Sequence, residues 1–304
     1  MNKRTQIILG SVLALLVISV IASSALSNYR ANRIEAILNP QPSASVEDGV
    51  VTLDKMVVTI LNGTNREGLS TRLGSRLETF GVFVTKIEQQ LLDGNIDIAV
   101  HSFKDLPKDL HDDTDIFAVM KRHDPRDAVI GNLVDRRKIG TSSPRRKLQL
   151  AKMFPNSEIL PIRGNIDTRI QKVRDNEYDA TILAMAGLDT MDLGHEINKI
   201  MAINELVPAV GQGVIAVQTK KDAEINFLME QINHLETYQC AMAERQMLKV
   251  IDGDCDTAIG SITNVCGTLL TISAWNYENN SSCKVEGLLS DYNALGLAAG
   301  SAIK

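Results

Sequence analysis

The feature that most constrains this chain is an alternation of short apolar runs with helix-like stretches between residues 127 and 185. The runs predict strands near 128–130, 158–162 and 179–185, and the pattern between them predicts helices over 144–154 and 166–175. Lys138–Thr141 reads as a further strand end. Alternation of β and α at this spacing argues for a parallel sheet with helices on both faces. Two arginine-bearing clusters sit where strands give way to helices. In Gly140-Thr141-Ser142-Ser143-Pro144-Arg145-Arg146, Ser143 suits an N-cap and Pro144 the first helical position. Arg163-Gly164-Asn165-Ile166-Asp167-Thr168-Arg169 repeats the design further along. A helix start offers free N–H groups and a positive dipole end, so hydroxyls and guanidiniums added there suit a carboxylate or a phosphate. The plain alternative is two solvated helix starts with surface arginines. Placement of both clusters at one sheet edge favours a binding cleft.

Composition narrows the ligand. The net charge is −5 and aromatics make up 4% of the chain, which argues against a nucleic-acid partner. The arginine pairs are local features of an acidic protein, as small anionic ligands require. Cys240, Cys255, Cys266 and Cys283 show no CxxC spacing and no histidine at zinc-ligand spacing, so a metal site is not expected.

In chain order, Met1–Arg4 is basic and residues 7–26 carry no charge, long enough to span a bilayer. The reading is a membrane anchor over 1–28, with a signal peptide as the competitor. A linker with Pro40 and Pro42 follows over 29–54. Residues 55–120 read as a first α/β domain. Its opening, VVTILNGTNREGLSTRLGSRLETFG, resembles the small C-terminal domain of LytR-type cell-envelope proteins. Val82–Leu92 reads as a helix and Ile96–Val100 as a buried strand, with Lys104 and Asp105 beyond its carboxyl end, where open α/β sheets gather ligand groups. A second α/β domain spans 121–206. Val207–Gly213 with Val214–Gln218 reads as the crossing back to the first domain, over 207–221. The C-terminal domain, 222–304, begins with two helices, the second capped by Thr237. Strands over Leu269–Trp275 and Lys284–Leu289 and a last helix over Tyr292–Lys304 complete it, and Cys255 lies in its Gly253–Asp256 loop.

Nine segments then coincide with one family. GVFVTKIEQQLLDGNIDIAVHSFKDLP, DPRDAVI, GTSSPRRKLQL, RGNIDTR, YDATILAMAGL, LVPAVGQG, NHLET, AER and GDCDTAIG stand in family order and spacing. From about Gly81 to its end the chain resembles hydroxymethylbilane synthase, also called porphobilinogen deaminase. The resemblance implies two periplasmic-binding-protein-like α/β lobes, the first incomplete here, plus a small C-terminal α+β domain, all preceded by the transmembrane helix. It implies a covalent dipyrromethane cofactor on Cys255, although Asp254 and Asp256 beside that thiol would not by themselves activate it. It implies the head-to-tail joining of four porphobilinogen molecules with release of ammonia, in tetrapyrrole and haem biosynthesis. Asp105, with Lys104, takes the catalytic position. Lys104, Thr141, Ser143, Arg145, Arg146, Arg163, Gly164 and Arg169 would grip pyrrole carboxylates, joined by Ser102 and Gln212. The soluble part is expected to be monomeric and on the cytoplasmic side. The family's usual first 60 or so residues, with an arginine and a serine for the incoming substrate, find no motif here, and the arginine expected after AMAGL is replaced by Asp189-Thr190-Met191. The alternative reading is a non-catalytic, pyrrole- or anion-binding envelope protein of solute-binding type.

Overall fold

The computed structural model describes residues 58–60, 87–253 and 256–304. The predicted span over 7–26, the linker and nearly all of the LytR-like segment lie outside the described residues. Among the described residues no helix is long and apolar enough to cross a membrane.

The elements form three sheets. The first contains β1 (Val58–Ile60), β2 (Ile98–Ser102), β3 (Thr114–Val119) and β9 (Ile215–Lys220), ordered β1-β2-β9-β3. A short helix, α1 (87–92), lies beside it and buries Ile87 and Leu91 against Ile96 and Ala99. The second sheet is ordered β6-β5-β7-β4-β8, from β4 (Asp127–Gly131), β5 (Lys138–Gly140), β6 (Glu158–Leu160), β7 (Ala180–Ala184) and β8 (Lys199–Ile200). Helices α2 (Pro144–Met153), α3 (Ile166–Arg174) and α4 (Met185–Thr190) connect its strands. The third is an antiparallel meander of β10 (Ile259–Cys266), β11 (Leu269–Asn276) and β12 (Ser281–Leu288). It is packed by α6 (Leu235–Ile251) and α7 (Tyr292–Ile303) around Met247, Leu270, Ile272 and Ala299. Helix α5 (Asn226–Ile232) leads into α6. The N-cap of α6 is His234, whose side chain accepts from the Thr237 N–H, in place of the expected Thr237.

The second sheet is mixed where a parallel one was expected. β5 runs parallel to β6 and β7, whereas β4 is antiparallel to both its neighbours, β7 and β8. The first sheet repeats the arrangement, with β9 antiparallel to both β2 and β3. β4 and β9 are the strands that follow the two passages between sheets. Each enters from the side where the other strands end, so it must run against them. In consequence Asp127, at the head of β4, sits opposite Ala184 at the end of β7, and Ile215 sits opposite Ser102 at the end of β2. Both passages therefore lie at the strand ends where the candidate site is built.

Candidate functional site

Local sequence places the groups. β2 is buried through His101, and the chain then tightens into a 3-10 turn, Phe103–Asp105, that presents Lys104 and Asp105. Phe103 seats the turn. It is buried, its N–H donates to the Val214 carbonyl at 2.9 Å, and the Arg245 guanidinium lies 6.0 Å from its ring centre. Gly211 allows this fit. It sits at φ +68°, and a Cβ there would come within 2.3 Å of the Phe103 ring.

Lys104 and Asp105 keep some contact with solvent while the protein encloses them. Burial pushes the Asp105 carboxyl up, opposed by the positive charges of Lys104, Arg146 and Arg169. Burial pushes the Lys104 ammonium down, opposed chiefly by Asp105. The turn therefore faces the second sheet's arginines. Its acid and its amine are each drawn toward the neutral form by burial.

The first arginine cluster opens α2 as expected. The Ser143 hydroxyl accepts from the Arg146 N–H at 3.4 Å, and the Thr141 hydroxyl accepts from the Ser143 N–H at 3.2 Å. Neither guanidinium is simply presented to a ligand. Asp127, without solvent exposure, accepts from Arg145 at 2.9 Å, from Arg146 at 2.6 Å and from the Gln212 amide at 2.8 Å. Arg145 also donates to the Val207 carbonyl, and Arg146 to the Ile182 carbonyl at 2.9 Å. Burial opposes ionisation of Asp127, but the two guanidiniums outweigh it and hold the carboxyl well below the usual carboxylate range. Gln212 spends its amide on Asp127 and on the Pro125 carbonyl at 2.7 Å, which makes it a brace of the passage between sheets.

Arg163 is exposed, three residues beyond the end of β6. Gly164, at φ +116°, turns the chain so tightly that a Cβ would lie 2.6 Å from Thr168. Its carbonyl accepts from Arg169 Nε at 2.8 Å, which aims that half-buried guanidinium toward Asp105 and Arg146. Asn165 caps α3, its side chain accepting from the Thr168 N–H at 2.7 Å. Ser102 is half-buried at the end of β2. Cys255 lies outside the described residues. The chain before it is tied to the site: from α6 and its end, Arg245 donates to the Pro107 carbonyl at 2.6 Å, and Asp252 pairs with Lys108, three residues beyond Asp105.

Two buried acids organise this region without having been singled out as site residues. Asp127 was visible only as an acid heading an all-apolar run in DPRDAVI. Glu244, in AER, is the other. It accepts from Arg122 at 2.6 Å, the Gly211 N–H at 2.6 Å, Thr263 at 2.8 Å and Ser261 at 3.1 Å, so it joins both passages to the third sheet. The Nε atoms of Arg145 and Arg146 are buried without a hydrogen-bond partner among the described residues. A spare donor at Arg146, beside Lys104 and Arg169, is a donor set that lacks acceptors. Carboxylates would supply them.

The sequence model described as porphobilinogen deaminase, dipyromethane cofactor binding domain, matches residues 21–226. The match begins well before Gly81, where the motifs start, and takes in the linker and the segment 55–80. A Chromobacterium violaceum protein named porphobilinogen deaminase is 39% identical over 206 residues, 65% of this chain and 67% of its own. Proteins of the same name from Acetivibrio thermocellus and Clostridium botulinum (strain Langeland) are 38% and 37% identical, over 66% and 72% of this chain and 70% and 78% of theirs. Among solved structures, the BvgS VFT2 domain of Bordetella pertussis overlaps with a TM-score of 0.32 at 11% identity, covering 49% of this chain and 66% of that one. A TRAP periplasmic solute-binding protein from Citrobacter koseri, with bound D-glucuronate, reaches 0.31 at 12%, over 53% and 70%. Overlaps this small carry no weight for fold or function.

Proposed function

The chain belongs to the porphobilinogen deaminase family, and from that premise we propose that it acts as a hydroxymethylbilane synthase, joining four porphobilinogen units with release of ammonia. The observation that carries the reading is the convergence of Lys104, Asp105, Arg146 and Arg169, with an unpartnered buried donor on Arg146.

The residues present suit the dipyrromethane of the matched domain. That group carries carboxylates, and the cleft offers cationic donors in excess of acceptors. When bound, it supplies the anchored end onto which pyrrole units are added. Cys255 would hold it covalently, while Lys104, Arg146, Arg163 and Arg169 would hold its acidic arms. Thr141 and Ser143 shape the start of α2 for the same purpose. Arg145 and Gln212 act from behind, by fixing Asp127 and the passages between sheets. Asp105 works on the substrate's reacting end. A carboxylate there stabilises positive charge that develops as an amine departs, and its burial-raised affinity for protons lets it hold one in transit. The positive charge of Lys104 beside it opposes the burial that raises its affinity for protons.

The finer assignments follow the same reading. The soluble part works as a monomer with three units arranged as 55–120 plus 207–221, 121–206 and 222–304, and residues 7–26 tether it to a membrane. The test is mass measurement of protein expressed with porphobilinogen available, alongside Cys255→Ser. Added mass of one dipyrrole on the wild type alone supports the reading. No added mass, or the same mass on the variant, overturns it. Asp105→Ala should keep the added mass and lose about a hundredfold or more in turnover, the scale of one electrostatic group.

A further inference from the structure

We infer that Glu88, Gln218 and His101 form a buried positioning chain that sets the end of β2, and through it the presentation of Lys104 and Asp105. The inference rests on the activity proposed above, but its geometry stands apart from the cleft.

Gln218 is fully buried on β9, the strand between β2 and β3. Its amide nitrogen donates to Glu88 at 2.6 Å and to the Thr114 hydroxyl at 2.8 Å. Thr114 in turn donates to the same Glu88 oxygen at 2.9 Å, and the His111 N–H reaches it at 2.9 Å. With both amide hydrogens spent, Gln218 must turn its carbonyl toward His101, whose Nε2 lies 3.0 Å away. His101 is therefore the donor and carries its hydrogen on Nε2. Turning the amide over would set its oxygen against the Glu88 carboxylate, so one acid on α1 fixes the direction of the whole chain.

The register makes room for this. His101 is paired with Ala216, and Gln218 with Ala99. The bond runs diagonally across the β2–β9 pair, between two positions whose partners in that pair are both alanine. A slip by one residue would turn His101 to the other face of the sheet and break it. His101 also lies two residues before the turn that carries Phe103, Lys104 and Asp105. Helix α1, β2, β3 and β9 are thus locked together just behind the groups that meet substrate. Displacement of a reacting group by even an ångström is costly in rate, while binding made elsewhere persists. The expected signature is a loss in kcat with little change in KM.

The experiment compares the full chain with Glu88→Ala, Glu88→Gln, Gln218→Met and, as a control, Met229→Ala, which removes buried apolar volume where α5 packs on the same sheet, without touching the hydrogen-bonded chain. Turnover of porphobilinogen is measured below each protein's Tm, and the His101 ring nitrogens are observed by NMR at neutral pH. Glu88→Ala and Gln218→Met should lower kcat about tenfold or more, with KM within about twofold, and abolish the single Nε2–H tautomer. Glu88→Gln keeps an acceptor and should recover most of the kcat. Met229→Ala should lower Tm and spare both readouts. Wild-type kcat in Gln218→Met, an equal kcat loss in Met229→Ala, or an unchanged tautomer in Gln218→Met would each overturn the inference. Absence of turnover in the wild type would instead count against the activity, and the tautomer would still decide whether the chain exists.

Discussion

Replacing Asp127 with Asn should be among the most destabilising single changes available in this protein. The carboxylate has no solvent exposure and faces guanidiniums that are themselves 3% and 8% exposed, at 2.9 and 2.6 Å. Asn keeps the shape but removes the charge, and its NH2 would point a donor at donors. Two buried cations then remain beside each other with no counter-charge. Removing one partner of a buried pair costs about 3–5 kcal/mol, and the doubled cation puts this site toward the upper end. For domains of this size that corresponds to a fall in Tm of roughly 6–20 °C. Calorimetry of wild type and Asp127→Asn at matched pH gives the difference directly. The pH dependence provides a second check. The folded-state pKa lies below the unfolded value of about 3.9, so the contribution is complete above roughly pH 4 and fades as pH falls through the folded value. The gap between the two proteins should therefore stay constant from neutrality down to about pH 5 and narrow only in stronger acid. A gap under about 1 kcal/mol at pH 7, or one that already narrows between pH 7 and 6, would refute the reasoning.

Burial holds the His101 pKa at about 4, with the Gln218 bond and the Glu88 charge opposing it only in part. Neutral His101 thus adds stability that is complete above the unfolded value of about 6.5 and is lost as pH falls toward 4, and His101→Gln should flatten denaturant-midpoint curves over that interval. Arg163→Lys should raise KM or reduce cofactor loading with Tm unchanged, because Arg163 is exposed, whereas Arg145→Lys should lower Tm by several degrees by losing the fork that spans Asp127 and Val207. Arg137→Lys, at an exposed pair with Asp179, should do neither. Gly211→Ala would strain a left-handed residue and drive a methyl into Phe103, so it should lower both kcat and Tm, by about 1–3 kcal/mol in stability.

The legible parts of this fold were those set by local pattern. Ser143 and Pro144 announce the start of α2, and the apolar run at Ile98–Val100 announces a buried strand, because caps and periodicity depend only on near neighbours. The direction of β4 and β9 was not legible. Each looks like any other buried strand in sequence, and its antiparallel placement follows from the chain crossing between sheets, a property of the whole path. The same limit applied to the arginines. Arg145, Arg146 and Arg163 look alike as cluster members, yet Arg145 and Arg146 are both bound to Asp127, each with its Nε left unpartnered among the described residues, whereas Arg163 is exposed. What separates them is Asp127, 18 residues before Arg145 in the chain. Its burial is expressed only once β4 has paired with β7. A cluster of cations in sequence therefore reports the total positive charge brought to a place. How much of it is free to meet a ligand depends on which acids the fold buries beneath it, and here those acids are Asp127 below α2 and Glu244 below the third sheet.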